Sequence, residues 1–301
     1  MIKISLVTPV YNGARFLPAA LQSIAAQKGN FELQHVLIDG GSTDGTLDIV
    51  RANESRFAYW HSRPDGGMYD ALCTGFEHTD GEVMGWLNSD DVYFPWALET
   101  VAQIFEQLPE VEWLSTLSPA AIDESGHIFK MRKIAGFSRQ AFIDGVYVGF
   151  DGLGNPYASD FIQQESTFWR RSLWDRIGPN PLKRYRTNRR PAGDFALWAM
   201  FAAEAELYGV ETPLTAWRMH PSQWTDPPPY MVEVAHEMNE LRRKVKYFPA
   251  KFTDDYAEYI GRYIEKTADA PAGQQWRVEE SKFFVMPKSD LKTAIALNRV
   301  F

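Results

Sequence analysis

The sequence predicts an α/β protein with a mostly parallel sheet, flanked by helices and followed by a helical C-terminal extension. Its N-terminal third alternates apolar, strand-like runs with helical patterns, which is typical of parallel strands joined by crossover helices. Each apolar run stops at a cluster of Gly, Asn, Asp, Ser or Thr residues. The chain has 301 residues, of which 45% are hydrophobic and 14% aromatic. It is therefore long and apolar enough to bury a large core.

The N-terminal elements follow the hydrophobic periodicity. Residues 14–27 predict a helix because apolar residues recur on one face from Phe16 to Ile24. Shorter helical patterns follow residue 46 and residue 70, and another begins near Pro95. Because ligands of such sheets bind beyond the carboxyl ends of the strands, we expect a site where the apolar runs stop. The predicted strands are residues 3–8, 33–38, 57–62 and 83–87.

The C-terminal part differs in pattern from the first 225 residues. Residues 226–229 read as a stiff, Pro-rich connector, and amphipathic helices are predicted at residues 232–247 and 254–267. We therefore divide the chain into residues 1–225, with a nucleotide-binding half at 1–110 and an acceptor half at 111–225, and a helical extension at 226–301.

An apolar run ending in two acids, residues 85–91, is the most informative stretch. Asp90 and Asp91 repel each other, and a hard divalent cation with oxygen ligands makes such a pair tolerable. The alternative is that one of them caps the helix predicted near Pro95. The residues alone leave both interpretations open.

Composition excludes some classes of function and location. The net charge of −8 argues against a nonspecific nucleic-acid-binding protein, which needs clustered positive charge. The single cysteine, Cys73, cannot form an internal disulfide. No signal sequence and no run of about 18 apolar residues is visible. We expect a cytoplasmic protein, with a peripheral contact at the inner face of the membrane left open.

Seven blocks follow one another along about residues 1–225, namely residues 5–13, 38–46, 64–71, 86–91, 164–171, 193–198 and 217–220. In this order they resemble the motifs of family 2 glycosyltransferases of the Rossmann-like GT-A fold. The resemblance implies transfer of a sugar from a nucleotide diphosphate donor with the help of Mn²⁺ or Mg²⁺. It implies that Asp91 is the direct metal ligand, that His220 lies near the metal, and that Asp90 contacts ribose or a metal-bound water.

The resemblance also implies a donor pocket at the ends of the first three strands. Asp39 would contact the nucleobase and ribose, although many members have two consecutive acids where this chain has Asp39 followed by Gly40. Asp65 would contact ribose or the donor sugar. The remaining predicted contacts come from the backbone at Thr8, Val10 and Tyr11, with the Tyr11 ring as a stacking surface.

Asp194 is the predicted catalytic base, and the resemblance favours this role over the alternative of a helix cap. It precedes an apolar helical pattern, so its carboxylate would project from a helix N-terminus. One base on one face implies inversion at the anomeric carbon. Glu165 is the second candidate base, although a contact to acceptor or donor sugar is favoured for it.

Two basic stretches have alternative interpretations. The first, at residues 181–191, is either a solvated loop or a mobile lid over the donor diphosphate or an anionic acceptor; its cations are Lys183, Arg184, Arg186, Arg189 and Arg190. The second, at residues 242–246, would let the helix at 232–247 lie on an anionic membrane. For this helix we favour core packing or a homodimer contact.

We therefore expect a metal-dependent inverting glycosyltransferase with a UDP-sugar donor and a glycan or lipid-linked acceptor, acting in polysaccharide biosynthesis. One alternative is a noncatalytic nucleotide-sugar-binding module. Another is a sugar nucleotidyltransferase, which would carry a Gly-rich phosphate loop with Arg and Lys after the first strand. Residues 9–13 lack that loop.

Overall fold

The structure is a computed structural model that describes residues 1–148, 161–186, 192–221, 227–246, 256–267, 270–271 and 273–285, without the side chains of 227–229. It confirms the predicted fold class, because a large and mostly parallel sheet is flanked by helices. In the described ranges, no helix is both long enough and apolar enough to cross a membrane.

Strands and helices alternate through the N-terminal third, as predicted. The strands are β1 Ile2–Val10, β2 Phe31–Asp39, β3 Tyr59–Ser62, β4 Val83–Trp86, β5 Val92–Tyr93, β6 Trp113–Thr116, β7 Ala120–Ile122, β8 Ile128–Met131, β9 Phe168–Arg170, β10 Tyr208–Val210, β11 Thr215–Arg218, β12 Ala257–Lys266 and β13 Trp276–Val285. The helices are α1 Leu17–Ala25, α2 Thr46–Ala52, α3 Met68–Glu77, α4 Ala97–Gln107, α5 Arg139–Asp144, α6 Arg171–Ile177, α7 Gly193–Glu204 and α8 Pro227–Lys244. Short 3-10 turns lie at Glu54–Arg56, Gln164–Ser166 and Pro181–Tyr185.

In the main sheet, β1 is an interior strand, the third from the β3 edge. Nine strands of the described part form it in the order β13-β12-β10-β6-β9-β4-β1-β2-β3. β1 pairs in parallel with β2 and β4, and β2 pairs in parallel with β3. Eight of the nine β1 residues are buried, as expected for a parallel strand that is covered on both faces. The carboxyl ends of β1 to β4 therefore meet at one edge.

A second, smaller sheet supports this edge. Its order is β5-β11-β7-β8, and β11 runs antiparallel to β5, with Ala216 opposite Val92. Because β5 begins directly after Asp91, the pairing brings Arg218 and the residues after it to the acid pair. The helix that follows begins at Ala97, and its N-cap residue is Trp96. Asp90 and Asp91 therefore do not cap it, and the capping alternative is wrong.

A cluster of buried tryptophans lies under the edge. Trp198 of α7 stacks on Trp86 of β4, with 5.7 Å between ring centroids and an interplanar angle of 11°, and also stacks on Trp113 of β6. Trp169 of β9 packs edge-on against both Trp86 and Trp198. Each of the four rings is at most 2% exposed. Large flat side chains in contact leave little freedom for rotation, so the start of α7 is held at a fixed position relative to the end of β4.

The C-terminal extension is only partly helical. α8 confirms the first predicted helix within residues 227–244, and its buried Val234, Met238 and Leu241 belong to the same hydrophobic cluster as residues of α7. The apolar face of α8 therefore packs on the core, which is the favoured alternative to a membrane contact. Among its basic residues, Arg242 donates to the carbonyl oxygens of Ile143 and Asp144.

The second predicted helix, at residues 254–267, is wrong. β12 occupies Ala257–Lys266, where it runs parallel to β10 and antiparallel to β13. Buried and exposed residues alternate from Ala257 to Gly261, which is the period of a strand rather than a helix. Aromatic and β-branched residues in this stretch also favour a strand. The boundary near residue 225 stays a prediction, because residues 222–226 lie outside the described part.

Candidate functional site

The loops after β1 and β2 interlock at the edge of the main sheet. Asn12 has φ of 50°, a left-handed conformation that asparagine tolerates better than most residues. Its backbone N–H donates to the Ser42 hydroxyl at 2.7 Å, and its side-chain oxygen accepts the Thr43 N–H at 2.9 Å. The Gly13 N–H donates to the Thr46 hydroxyl at 2.9 Å. Polar residues at both strand exits therefore build one preformed surface.

Asp91 is buried at this edge and bonds to three groups. Its Oδ1 accepts the backbone N–H of Arg218 at 2.8 Å, and its Oδ2 accepts the Asn88 side-chain N–H at 3.3 Å. It also shares a hydrogen bond with the Glu165 carboxyl group. Burial, followed by the charges of Glu165 and Asp90, holds the pKa of Asp91 well above its usual range. Burial likewise raises the pKa of Glu165 to about 7, so without a cation the pair retains at least one proton near neutral pH.

Asp90 and His220 form a second pair beside the first. His220 Nε2 lies 3.0 Å from Asp90 Oδ2, and the His220 ring contacts Phe16, with 4.7 Å between centroids. The side chain of His220 is 8% exposed. Its other ring nitrogen, Nδ1, is buried and has no hydrogen-bond partner among the residues described, an arrangement that a ligand or water would satisfy.

The donor set at this edge suits a divalent cation. In the parts of the chain that are described, no three His, Cys, Asp or Glu side chains converge as a preformed metal centre. Mg²⁺ sites need only one or two carboxylates, because substrate phosphates and water supply the other oxygens. The hydrogen-bonded carboxyl groups of Asp91 and Glu165 offer oxygens once their shared proton leaves, and the imidazole of His220 is a ligand that Mn²⁺ accepts.

Arg218 is a residue of this site to which the sequence analysis gave no role. Its buried guanidinium donates through Nε to the Asp90 carbonyl oxygen at 2.7 Å, and through Nη1 to the carbonyl oxygens of Asp123 and Glu124. It also lies over the Phe16 ring at 4.9 Å. The feature of the sequence that could have identified Arg218 is that it is a single arginine in the apolar run at residues 215–218. Arg218 fixes the acid pair to the second sheet.

The predicted nucleobase residues differ in what they expose. The Asp39 carboxylate is fully buried and accepts hydrogen bonds from the Ser42 backbone and from the Ser42 and Ser62 hydroxyls. The Thr8 hydroxyl is buried against His35 Nε2 at 2.9 Å. The Val10 carbonyl oxygen accepts the Gly40 N–H at 2.9 Å. Tyr11, by contrast, is 67% exposed, so its ring is available to a ligand.

Asp65 occupies the space that a side chain at position 40 would fill. Both of its carboxylate oxygens lie 3.2 Å from where a Cβ atom on Gly40 would be, and Oδ1 accepts the Gly67 N–H at 2.8 Å. Burial is the main cause that raises the pKa of Asp65, and the charges of Asp70 and Asp39 add to it. The side chain itself remains exposed. In this pocket, therefore, Asp65 from the loop after β3 faces solvent, whereas Asp39 at the end of β2 is enclosed.

Asp194 lies in the first turn of α7 and is partly exposed. The N-cap residue of α7 is Ala192, so Asp194 is not the cap. Its Oδ1 accepts the Phe195 N–H at 2.7 Å. Burial raises the pKa of Asp194 to about 6, against the opposing effect of its hydrogen bonds from the backbone and from Tyr69. The negative charge of Asp194 is also among the causes that raise the pKa of Glu165.

The first basic stretch is anchored where it is described. Residues 181–185 form a 3-10 turn with Leu182 and Tyr185 buried. Arg184 pairs with Glu237 of α8, and Arg186 pairs with Asp70 at the start of α3. This part is therefore not a free solvated loop. Residues 187–191, which include Arg189 and Arg190, lie outside the described residues.

Part of the chain matches a known protein family. The sequence model described as "Glycosyl transferase family 2" matches residues 5–148. The domain at residues 5–148 belongs to glycosyltransferase family 2. An uncharacterized glycosyltransferase of Mycobacterium tuberculosis is 30% identical over 175 residues, covering 58% of this chain and 61% of that protein. A PGL/p-HBAD biosynthesis glycosyltransferase of Mycobacterium bovis is 39% identical over 112 residues, covering 36% of this chain and 42% of its own length.

Solved structures confirm the GT-A fold. Residues 1–349 of S. aureus TarS, solved with UDP-GlcNAc, superpose with a TM-score of 0.54 at 17% identity, covering 81% of this chain and 70% of that solved chain. The mannosyltransferase PcManGT from Pyrobaculum calidifontis, solved with GDP-Man and Mn²⁺, gives a TM-score of 0.51 at 16% identity, covering 81% of this chain and 72% of its own. At these identities the likeness shows the fold alone.

The shared proton of Asp91 and Glu165 predicts how stability depends on pH in the absence of metal. Because the pKa of Glu165 rises from 4.5 to about 7 on folding, the folded state binds more protons than the unfolded state between these values. The free energy of unfolding should therefore fall as pH rises from about 4.5 through 7. Glu165→Gln removes the carboxyl group that titrates over this range, so we expect it to be about 1–3 kcal/mol more stable than the wild type at pH 8.

Urea unfolding in EDTA at pH 5 and pH 8 measures this difference. The exposed Glu211→Gln is the control, and it should change the free energy of unfolding by about 0.5 kcal/mol or less at both pH values. A Glu165→Gln variant that loses stability with rising pH as steeply as the wild type would show that the pair shares no proton.

Proposed function

We propose that this family 2 protein is a metal-dependent, inverting glycosyltransferase that moves a sugar from a UDP-sugar to a hydroxyl group of a glycan or lipid-linked acceptor. The observation that carries the proposal is the pairing of two acid groups at one sheet edge. The first group is the Asp90–Asp91 pair, with His220 beside Asp90. The second group is Asp194. Glu165 interacts electrostatically with both groups. The family membership of residues 5–148 supports the same reaction class.

Asp91, with support from Asp90 and His220, would hold the Mn²⁺ or Mg²⁺ ion. When bound, such an ion neutralises the charge that develops on a leaving nucleoside diphosphate. The chain contributes rigidity: Arg218 binds both the Asp90 carbonyl oxygen and, through its backbone, the Asp91 carboxylate. Because these groups belong to paired strands, little reorganisation is needed when the donor arrives.

Asp194 is the proposed base for the acceptor hydroxyl. A pKa of about 6 leaves the carboxylate ionised at neutral pH and still close enough to neutrality for efficient proton transfer. A base on the face opposite the leaving diphosphate accounts for inversion. Glu165 is less suited to this role, because its carboxyl group is buried and bonded to Asp91.

We propose that the nucleoside contacts two exposed side chains, the Tyr11 ring and the Asp65 carboxylate. The enclosed Asp39 carboxylate instead shapes the loop that forms the floor of the pocket. TarS binds UDP-GlcNAc and PcManGT binds GDP-Man, so both nucleotides occur on this fold. The preference for uridine rests on the family motifs, and the transferred sugar is a hexose or an N-acetylhexosamine in our proposal.

The proposal predicts that UDP binding depends on a divalent cation and on Asp91. In Asp91→Ala the diphosphate charge would be uncompensated, so we expect UDP affinity to fall to the level that the wild type shows in EDTA. Isothermal titration calorimetry with UDP and GDP, in Mn²⁺ and in EDTA, tests this. Equal UDP affinity with and without EDTA would contradict metal dependence, and tighter binding of GDP would contradict the uridine preference.

Replacing Asp194 by Asn separates an enzyme from a noncatalytic binding module. The amide preserves size but cannot accept the acceptor's proton, so transfer should fall by about 10² to 10⁴-fold, with UDP-sugar affinity unchanged. Product analysis by NMR should show inversion in the wild type. Wild-type transfer by Asp194→Asn would make Glu165 the base to test, whereas loss of donor binding would place Asp194 in the nucleotide-sugar pocket.

A further inference from the structure

The N-terminus of α7 lies directly on the ring of Tyr69, a residue of α3. A Cβ atom on Gly193 would lie 2.6–2.8 Å from three carbon atoms of that ring, which is closer than van der Waals contact allows. The close approach therefore requires glycine at position 193. It brings the first turn of α7, which includes Asp194, against the start of α3.

The Tyr69 hydroxyl bonds to Asp194 in two ways. It accepts the Asp194 backbone N–H, with 3.1 Å between nitrogen and oxygen. It also donates to the Asp194 carboxylate. A phenol that is both acceptor and donor to one residue fixes that residue's backbone and its side chain together. Tyr69 is 4% exposed, so water does not compete freely for these bonds.

The ring of Tyr69 is itself held in place. It packs edge-on against Tyr185, with 5.9 Å between centroids, and the Tyr185 hydroxyl donates to Glu237 of α8 at 2.5 Å. Tyr69 also follows Met68, the first residue of α3, directly after the loop that carries Asp65. The same short stretch of chain thus contributes both a proposed donor contact and the partner of the proposed base.

We propose that Tyr69 is the positioning residue of Asp194: its hydroxyl orients the carboxylate and stabilises its ionised form. This inference rests on the proposed role of Asp194 as base. Tyr69 acts through Asp194 and does not itself exchange a proton with substrate. The hydrogen bond to the charged form lowers the proton affinity of Asp194 and so opposes the effect of burial.

Other groups also face Asp194. Glu233 and Tyr230 come from α8, and Glu165 comes from the 3-10 turn before β9. The charge of Glu233 disfavours ionisation of Asp194, and the hydrogen bond from Tyr69 opposes this effect. Substituting Tyr69 should therefore shift the pH dependence of transfer in one defined direction.

The experiment is the pH profile of kcat for Tyr69→Phe, measured in saturating Mn²⁺ so that the proposed metal ligands do not titrate. In the wild type we expect an acidic limb with a midpoint near the Asp194 pKa of about 6. Phe keeps the ring on Gly193 but removes the hydroxyl. The midpoint should rise by about one pH unit, which lowers kcat about fivefold at pH 6 and leaves it nearly unchanged at pH 8.5.

Tyr147→Phe is the matched control, because this tyrosine is 3% exposed and its hydroxyl also makes two hydrogen bonds. It accepts the Ser138 backbone N–H and donates to the Gly136 carbonyl oxygen. The acidic limb of the kcat profile of Tyr147→Phe should coincide with that of the wild type. An unchanged limb in Tyr69→Phe, or an equal loss of kcat at every pH, would overturn the positioning role. Wild-type transfer by Asp194→Asn would instead overturn the proposed base.

Gly193→Ala provides a second variant that reaches the same pair from α7. The added methyl group must displace the Tyr69 ring, so the limb should move upward as in Tyr69→Phe. In the double variant Gly193→Ala/Tyr69→Phe, the two shifts should not add, because both remove one interaction. Additive shifts would contradict the proposal.

Discussion

The crowding of carboxylates at one sheet edge is the constraint on which the rest of this site depends. Asp91 and Glu165 are buried in contact, and burial raises the pKa of both. Two such groups stay together only when a proton or a cation lies between them. The buried Arg218 donates hydrogen bonds to the carbonyl oxygens of Asp90, Asp123 and Glu124. These bonds hold the segments that carry the acids in fixed positions.

Buried aromatic packing and helix contacts hold these acids in place. The stacked Trp86 and Trp198 connect the end of β4, which leads to the acid pair, to α7, which carries Asp194. α8 packs against α7 and holds the 3-10 turn at Pro181–Tyr185 through Glu237. The C-terminal helix is therefore part of the architecture of the site. The separation of the two acid groups is set by rigid aromatic packing, whereas the donor loops are joined by hydroxyl and amide hydrogen bonds.

Much of this was predictable from the sequence, and the remainder has physical reasons. The first four strands follow from apolar runs that stop at polar clusters, and Asp91 and Asp194 lie at a strand end and a helix start. β12 was missed because its alternating pattern is broken by polar residues that pair with β13. The enclosure of Asp39 and the contact of Asp65 with Gly40 depend on how two loops pack, which spacing along the chain does not determine. Tyr69 and Arg218 act through contacts more than 100 residues apart.

A divalent cation that binds between Asp91 and Glu165 must displace the proton that this pair retains. Titration calorimetry with Mn²⁺ at pH 6.5, in two buffers of different ionisation enthalpy, measures the protons released. We expect release of about one proton per cation bound in the wild type and clearly less in Glu165→Gln. Binding of Mn²⁺ without proton release, or equal release by both proteins, would contradict it.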